Sequence, residues 1–224
     1  MYRRPHLWLA SNSPRRRQLL DLGEWTFTIA PTIVNENLLE NEQVGEYVIR
    51  LAETKARSAV IPDGGDQLVL GADTAVVDGR EIMGKPKDSL QAQDMLRRLR
   101  GHNHQVFTGI ALLQVATSRC QTDLCVTEVP MRSYSEAEII TYVSSGDPLD
   151  KAGGYGIQNS NFNPVVGLQG CYASVMGLPL CHLVRSLRKF DIPVNPDIAD
   201  ACQEHLNYEC PVSDAILSYP PVIE

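Results

Sequence analysis

Apolar and polar positions follow two different periods along the chain, and the switches between them mark out its elements. The apolar run His6 to Ala10 predicts a short strand, which feeds the turn Ser11-Asn12-Ser13-Pro14 and a helix ending near Gly23. Ser13 suits the N-cap of that helix because its hydroxyl can accept from a free backbone N–H. Pro14 suits the first helical position, where a missing N–H costs nothing. Between Asn41 and Val60, apolar side chains at Val44, Val48, Leu51 and Ala59 recur at helical spacing. Gln67 to Val77 is a near-continuous apolar run, the pattern of a central strand covered on both faces, and it breaks at Asp78-Gly79, a favoured hairpin pair. Ser89 to Leu99 reads as a helix, and Gln105 to Val115 and Cys125 to Tyr134 read as strands. Ser135 and Glu138 form a capping box that opens a helix to about Ser145. Beyond GDPLDKAGGYGIQ the pattern predicts a hairpin and a last helix from Leu178 to Phe190. Strands alternating with helices place the chain in the α/β class.

Against this pattern a few charges stand in unfavourable places. Arg15, Arg16 and Arg17 fill the first turn of the first helix, where the macrodipole is already positive, so the arrangement asks for an anion. Asp73 lies inside LVLGADTAVV, where an ionised carboxylate must be paired, hydrogen-bonded or turned towards a ligand. Lys55 follows Leu51 by four residues on the apolar stripe of the second helix, so its amine either snorkels to water or enters a cleft. Lys85 is held between Gly84 and Pro86, a position that is normally solvated. The loop GDPLDKAGGYGIQ lets backbone approach a ligand closely and offers Asp150, Lys151, Tyr155 and Gln158 as polar contacts.

Overall charge narrows the choice of ligand. The 224 residues carry 27 acidic and 20 basic side chains, but seven of the acids and none of the Lys or Arg lie in residues 191–224. Residues 1–190 are therefore balanced, which argues against a broad nucleic-acid footprint and for one compact anion. The expected division is a domain over 1–190 and an acidic C-terminal extension over 191–224, with a short helix capped by Asn195 at NPDIADACQEHL. The short apolar stretch after MYRR lacks the length of a signal peptide, and the longest uncharged stretch reaches spanning length only by including glycines, prolines and polar side chains. No membrane segment is expected, and a cytoplasmic location with reduced cysteines follows. Cys202, His205 and Cys210 match no zinc spacing.

An arginine-loaded helix start, two cleft lysines, a buried carboxylate and a Gly-rich loop suit a polyphosphate ester hydrolysed with a metal bound by carboxylates. Neither a Walker loop nor a GxGxxG fingerprint is present. In order and separation, LASNSPRRRQLL, LGADTAVV, GKPKD and DKAGGYGIQ resemble the Maf family of nucleoside triphosphate pyrophosphatases over about Leu7 to Phe190. The resemblance implies a two-lobed mixed α/β sheet flanked by helices, related to inosine triphosphate pyrophosphatases, with the nucleotide in the cleft between lobes. It implies cleavage of the α–β phosphoanhydride with a divalent cation (Mg or Mn), a preference for dTTP and UTP, and compatibility with a homodimer.

Carried over by motif, the phosphate-binding turn falls on Ser11, Ser13, Arg15 and Arg16. The acid of the following loop falls on Glu36, the helix lysine on Lys55, the strand acid on Asp73, the lysine of the KP pair on Lys85 and the glutamine of GIQ on Gln158. Asp73 is expected to activate water, as general base or by holding the metal with Glu36. After Gln158 the chain reads NSNFNPVVGLQG where the family continues with a Gly-rich turn, so base preference is the least constrained property. The weighed alternatives are purine specificity of the inosine triphosphate pyrophosphatase type and a nucleotide-binding regulatory module without turnover.

Overall fold

The computed structural model describes residues 5–218. Its frame is a six-stranded sheet in the order β2-β1-β3-β5-β6, with β4 also on β3. These strands are β1 (His6–Leu9), β2 (Phe27–Ile29), β3 (Gln67–Asp78), β4 (Glu81–Met83), β5 (Asn103–Gln114) and β6 (Arg119–Pro130). β1 runs parallel to β2 and β3, whereas β4, β5 and β6 pair antiparallel, so the sheet is mixed. Helices α1 (Pro14–Asp21), α2 (Val44–Arg57), α3 (Ser89–Leu99) and α4 (Glu136–Ser144) intervene. Short helices α5 (Tyr172–Met176), α6 (Leu180–Arg188), α7 (Ile198–Leu206) and α8 (Ser213–Leu217) follow.

The sheet forks along one edge of β3. Its first part, Gln67 to Leu70, pairs with β1, and its last part, Val76 to Asp78, pairs with β4. Between them no strand among the described residues covers that edge, and Asp73 and Thr74 lie in the gap. On its other side β3 is paired with β5 throughout, from Leu68↔Gln114 to Val77↔Gln105, so the fork is held open on a continuous support.

Helix α2 packs on one face of this support at unusually short range. A Cβ on Gly71 would stand 2.0 Å from the Ala52 carbonyl oxygen, and one on Gly109 would stand 2.7 Å from the Val48 carbonyl. Only glycine permits that approach, because the obstacles are helix backbone. Ala52 and Ala56, both fully buried, present the matching small side chains. The larger core lies on the opposite face, where Leu70, Ala72, Val76 and Ile110 meet α3, α5 and α6.

Most expected elements lie where the pattern places them, with the ends of α2 trimmed to Val44–Arg57. Three do not. The strand expected at Cys125 to Tyr134 begins at Arg119, because β6 is an edge strand paired with β5 along its full length and its polar CQTD segment obscures the alternation. The hairpin expected after Gln158 is absent: Val165 makes a single bridge to Met131, and the Pro164 carbonyl accepts from the Arg132 N–H at 2.8 Å. The helix expected from Leu178 to Phe190 is α6, started by Pro179; the separate short helix α5 before it, closed by Gly177 at a φ of 106°, occupies part of the expected hairpin. Asn195 accepts from the Asp197 N–H, which moves the start of α7 to Ile198. Residues beyond 190 pack on the same core through Ile198, and α6 contacts both α7 and α8.

The Gly-rich loop is tied to the sheet by a buried histidine. His104 Nε2 lies 2.8 Å from the Tyr155 hydroxyl, and the two rings meet edge to face. Burial lowers the His104 value from 6.5 to about 4, so the folded protein holds it neutral. Unfolding lets it ionise below about 6.5. Its contribution is therefore complete above that pH and is lost as pH falls towards 4, amounting to about 3 kcal/mol.

Two measurements check these contacts. Gly71→Ala is expected to lower unfolding free energy by at least ~1–3 kcal/mol in a denaturant titration, and an unchanged midpoint would contradict the packing of α2. His104→Gln should flatten the loss of stability between pH 6.5 and 4; identical slopes for both proteins would remove His104 as its source.

Candidate active site

The fork of the sheet opens into a cleft of about 360 Å³, large enough for a small organic ligand. Successive side chains of β3 point to opposite faces, so Asp73 faces α2 with Gly71, while Thr74 faces the other way with Ala72 and Val76. Both line the cleft, because the missing strand exposes both faces at that point.

On the α2 side, the close packing brings Lys55 Nζ to 2.6 Å from Asp73 Oδ1 and 2.7 Å from Glu36 Oε1. The Lys55 and Asp73 side chains are each 11% exposed, whereas Glu36 comes from the long segment before α2 and is 57% exposed. That segment is held to α2 by the Tyr47 hydroxyl, which donates to the Glu36 carbonyl at 2.9 Å, and by Arg50, which donates to the Asn37 carbonyl at 3.1 Å. The two carboxylates differ in their affinity for protons. Burial outweighs the cations Lys55 and Arg16 at Asp73 and raises its pKa. At Glu36 burial acts in the same direction, but the hydrogen bond and charge of Lys55, with Lys85 and Arg16, outweigh it and hold the pKa down. Asp73 Oδ2 takes no hydrogen bond among the described residues.

The first turn of α1 forms the opposite wall. Ser13 caps the helix, its hydroxyl accepting from the Arg16 N–H at 3.4 Å. Arg16 turns inwards and donates from Nε to the Gly177 carbonyl at 2.9 Å, from Nη1 to Ser11 Oγ at 3.2 Å and from Nη2 to Thr74 Oγ1 at 3.3 Å. Its burial lowers the guanidinium pKa, against the pull of Asp73. Arg15 reaches Asp150 at 3.1 Å, and Arg17 is exposed. Asp150 also accepts from buried Lys151 at 2.6 Å, and Lys151 donates to Asp147, so that lysine knits the Gly-rich loop together.

Ser13, Arg15, Arg16, Glu36, Lys55, Asp73, Lys85 and Gln158 all line this one cleft. Ser11 does not: it is 8% exposed, and its hydroxyl serves the Ser13 N–H and Arg16. Lys85 and Gln158 are exposed, and among the described residues neither side chain makes a hydrogen bond or ion pair. Thr74, Thr108 and Tyr47 escape sequence reasoning, since threonine is ordinary in a strand and tyrosine in a helix. The flanking Asp73 is the one signal that singles out Thr74.

The donor set is all oxygen and small. Among the described residues no group of three His, Cys, Asp or Glu converges as a metal site, so the protein offers the two carboxylates Asp73 and Glu36. That fits a hard divalent cation whose remaining positions are filled by phosphate oxygens and water, and it does not fit zinc. Among the same residues no helix is long and apolar enough to cross a membrane.

Known proteins are similar to this chain over most of its length. Residues 6–190 match the family described as Maf-like protein. A dTTP/UTP pyrophosphatase of Hahella chejuensis is 45% identical over 197 residues, covering 87% of this chain and 96% of that protein. Proteins of the same description from Bacillus cereus (strain B4264) and Dehalococcoides mccartyi are 45% and 39% identical, covering 83% and 87% of this chain and 96% and 86% of theirs. Among solved structures, a HAM1 protein from Coxiella burnetii aligns at 18% identity and a TM-score of 0.41, covering 67% of this chain and 86% of that one. That similarity is too remote to bear on function. The family match extends over the α1 turn, α2, β3 and the Gly-rich loop alike, and the chain belongs to the Maf family.

Proposed function

We infer that this protein hydrolyses nucleoside triphosphates at the α–β phosphoanhydride, releasing a nucleoside monophosphate and pyrophosphate, with dTTP and UTP as substrates. The observation that carries this reading is the division of charge in the cleft. Arg15, Arg16, Lys55 and Lys85 surround a space large enough for a nucleotide, yet Asp73 and Glu36 stand among them. A site that only bound a polyanion would gain nothing from two carboxylates. The base preference is supported by the names of relatives at 39–45% identity.

The roles follow from the environments. Two carboxylates whose surroundings push their proton affinities apart divide acid–base work between them. Asp73, the more basic of the pair, takes the proton of the attacking water on the oxygen that Lys55 leaves open, while the water oxygen bonds to the α-phosphorus. Lys55 keeps Asp73 oriented and ionised before attack. Alternatively, Asp73 and Glu36 would together hold a divalent cation (Mg or Mn), which would supply Lewis acidity to activate the water in place of the basicity of Asp73. Arg16 and Lys85 meet the charge that grows on the leaving pyrophosphate as the bridging bond breaks. Gln158 offers one donor and one acceptor group to a pyrimidine edge. Gln158 is exposed, which leaves the base end of the cleft open to solvent.

Residues 1–190 are the catalytic unit in this reading, and 191–224 an extension whose helices α7 and α8 brace α6.

The test is hydrolysis by purified protein of each common ribo- and deoxynucleoside triphosphate, with Mg or Mn and separation of the products. Monophosphate and pyrophosphate from dTTP or UTP are expected, and Asp73→Asn should cut kcat by about 10²–10⁴-fold with an unchanged circular dichroism spectrum. Orthophosphate as the product would overturn the cleavage site, preferred release from a deaminated purine the base assignment, and binding without turnover the enzyme itself.

A further inference from the structure

Arg16 belongs to a closed ring of hydrogen bonds that runs behind the cleft. An arginine has donors and no acceptor, so each protein atom it meets must accept. Its Nε donates to the Gly177 carbonyl, and the Gly177 N–H in turn donates to the Ser174 carbonyl at 2.9 Å. The same Ser174 carbonyl accepts from the Thr108 hydroxyl at 2.9 Å. Thr108 Oγ1 is 3.0 Å from Thr74 Oγ1, and Thr74 Oγ1 accepts from Arg16 Nη2.

The polarity of this ring is determined. A carbonyl can only accept, so the single hydroxyl proton of Thr108 is committed to Ser174. Thr74 must then give its own proton to Thr108, which leaves a lone pair of Thr74 facing Arg16. Reversing the Thr74–Thr108 bond would take the Thr108 donor away from the Ser174 carbonyl, and Thr108 is fully buried, with no water to replace it. With its proton held by Thr108, Thr74 has a fixed rotor and turns a lone pair to the guanidinium; without that acceptor the Thr74 proton is free to swing towards Arg16.

We propose that Thr108, acting through Thr74, is a positioning residue for Arg16: it holds Thr74 as an acceptor and thereby sets the guanidinium in the orientation that meets the triphosphate. Neither Thr108 nor the Ser174 carbonyl lines the cleft. Their effect reaches the substrate only through Arg16, and no reorganisation is needed when the phosphates arrive. The proposal rests on the pyrophosphatase reading for its kinetic consequence but not for its structural one, and the two are separable.

The experiment is a double-mutant cycle on dTTP hydrolysis with Thr108→Val and Arg16→Lys, with Thr108→Ser alongside. Thr108→Val keeps the volume and removes the proton; it should lower kcat/KM about tenfold or more, the effect of a hydrogen bond to a charged group. Thr108→Ser, which keeps the hydroxyl, should restore it. In the Arg16→Lys background Thr108→Val should cost almost nothing further. An equal loss in both backgrounds, or a lower melting temperature with unchanged kcat and KM, would overturn the proposal. Should wild-type protein turn over no nucleotide, the function fails and the ring is read directly from hydrogen exchange at Arg16 Nε–H by NMR. Faster exchange in Thr108→Val than in Thr108→Ser supports it, and equal rates overturn it.

Discussion

The ammonium of Lys55, bonded to both Asp73 and Glu36, is the contact on which the rest of the cleft depends. A carboxylate as deeply placed as Asp73 is tolerable only with a partner, and removing one member of such a pair typically costs about 3–5 kcal/mol. To supply the partner, α2 must lie almost on the backbone of β3 and β5, which is why the strands carry Gly71 and Gly109 at the crossing points. The same helix organises the segment before it through Tyr47 and Arg50, and so brings Glu36 to the far side of the ammonium. One helix position therefore joins a strand acid and a loop acid that are distant in sequence.

The second constraint is the fork. Because β1 and β4 share an edge of β3 without meeting, the sheet has a gap in which both faces are reachable. The carboxylates approach it from the α2 face, and Arg16, anchored to the end of α5, approaches from the other. Opposite charges are thereby concentrated without neutralising each other completely: among the described residues Arg16 is hydrogen-bonded to neutral acceptors, which leaves its charge for an anion. Arg15 is different, since Asp150 engages it and couples it to the Gly-rich loop.

Parts of this were legible in the residues. Three arginines at a helix start, a carboxylate within an apolar strand and a lysine on an apolar stripe are each unfavourable alone, and that misfit located Arg15, Arg16, Lys55 and Asp73. Glu36 produces no misfit, because an acid in a polar loop is ordinary; only the resemblance of motifs brought it forward. Ser11 carried the same motif, and in the fold its hydroxyl accepts from Arg16 and the Ser13 N–H behind the cleft wall. The hairpin expected near Val165 failed because an apolar pair beside a proline bonds as readily to an older strand end as to a new partner.

The sequence by itself determined the α/β class, the capped start of α1, the glycine-bounded turns and the charged residues in need of partners. These are local matters, set by period, capping chemistry and the cost of burying charge, and each can be read within a few residues. Tertiary structure alone decided which charges meet, that Lys55 serves two acids, that β3 has a gap at Asp73, and that Thr108 governs the proton of Thr74. Those depend on the distance between α2 and the sheet and on the direction of a shared hydrogen bond. Neither leaves a periodic trace in the chain, because each joins single residues from elements far apart in sequence.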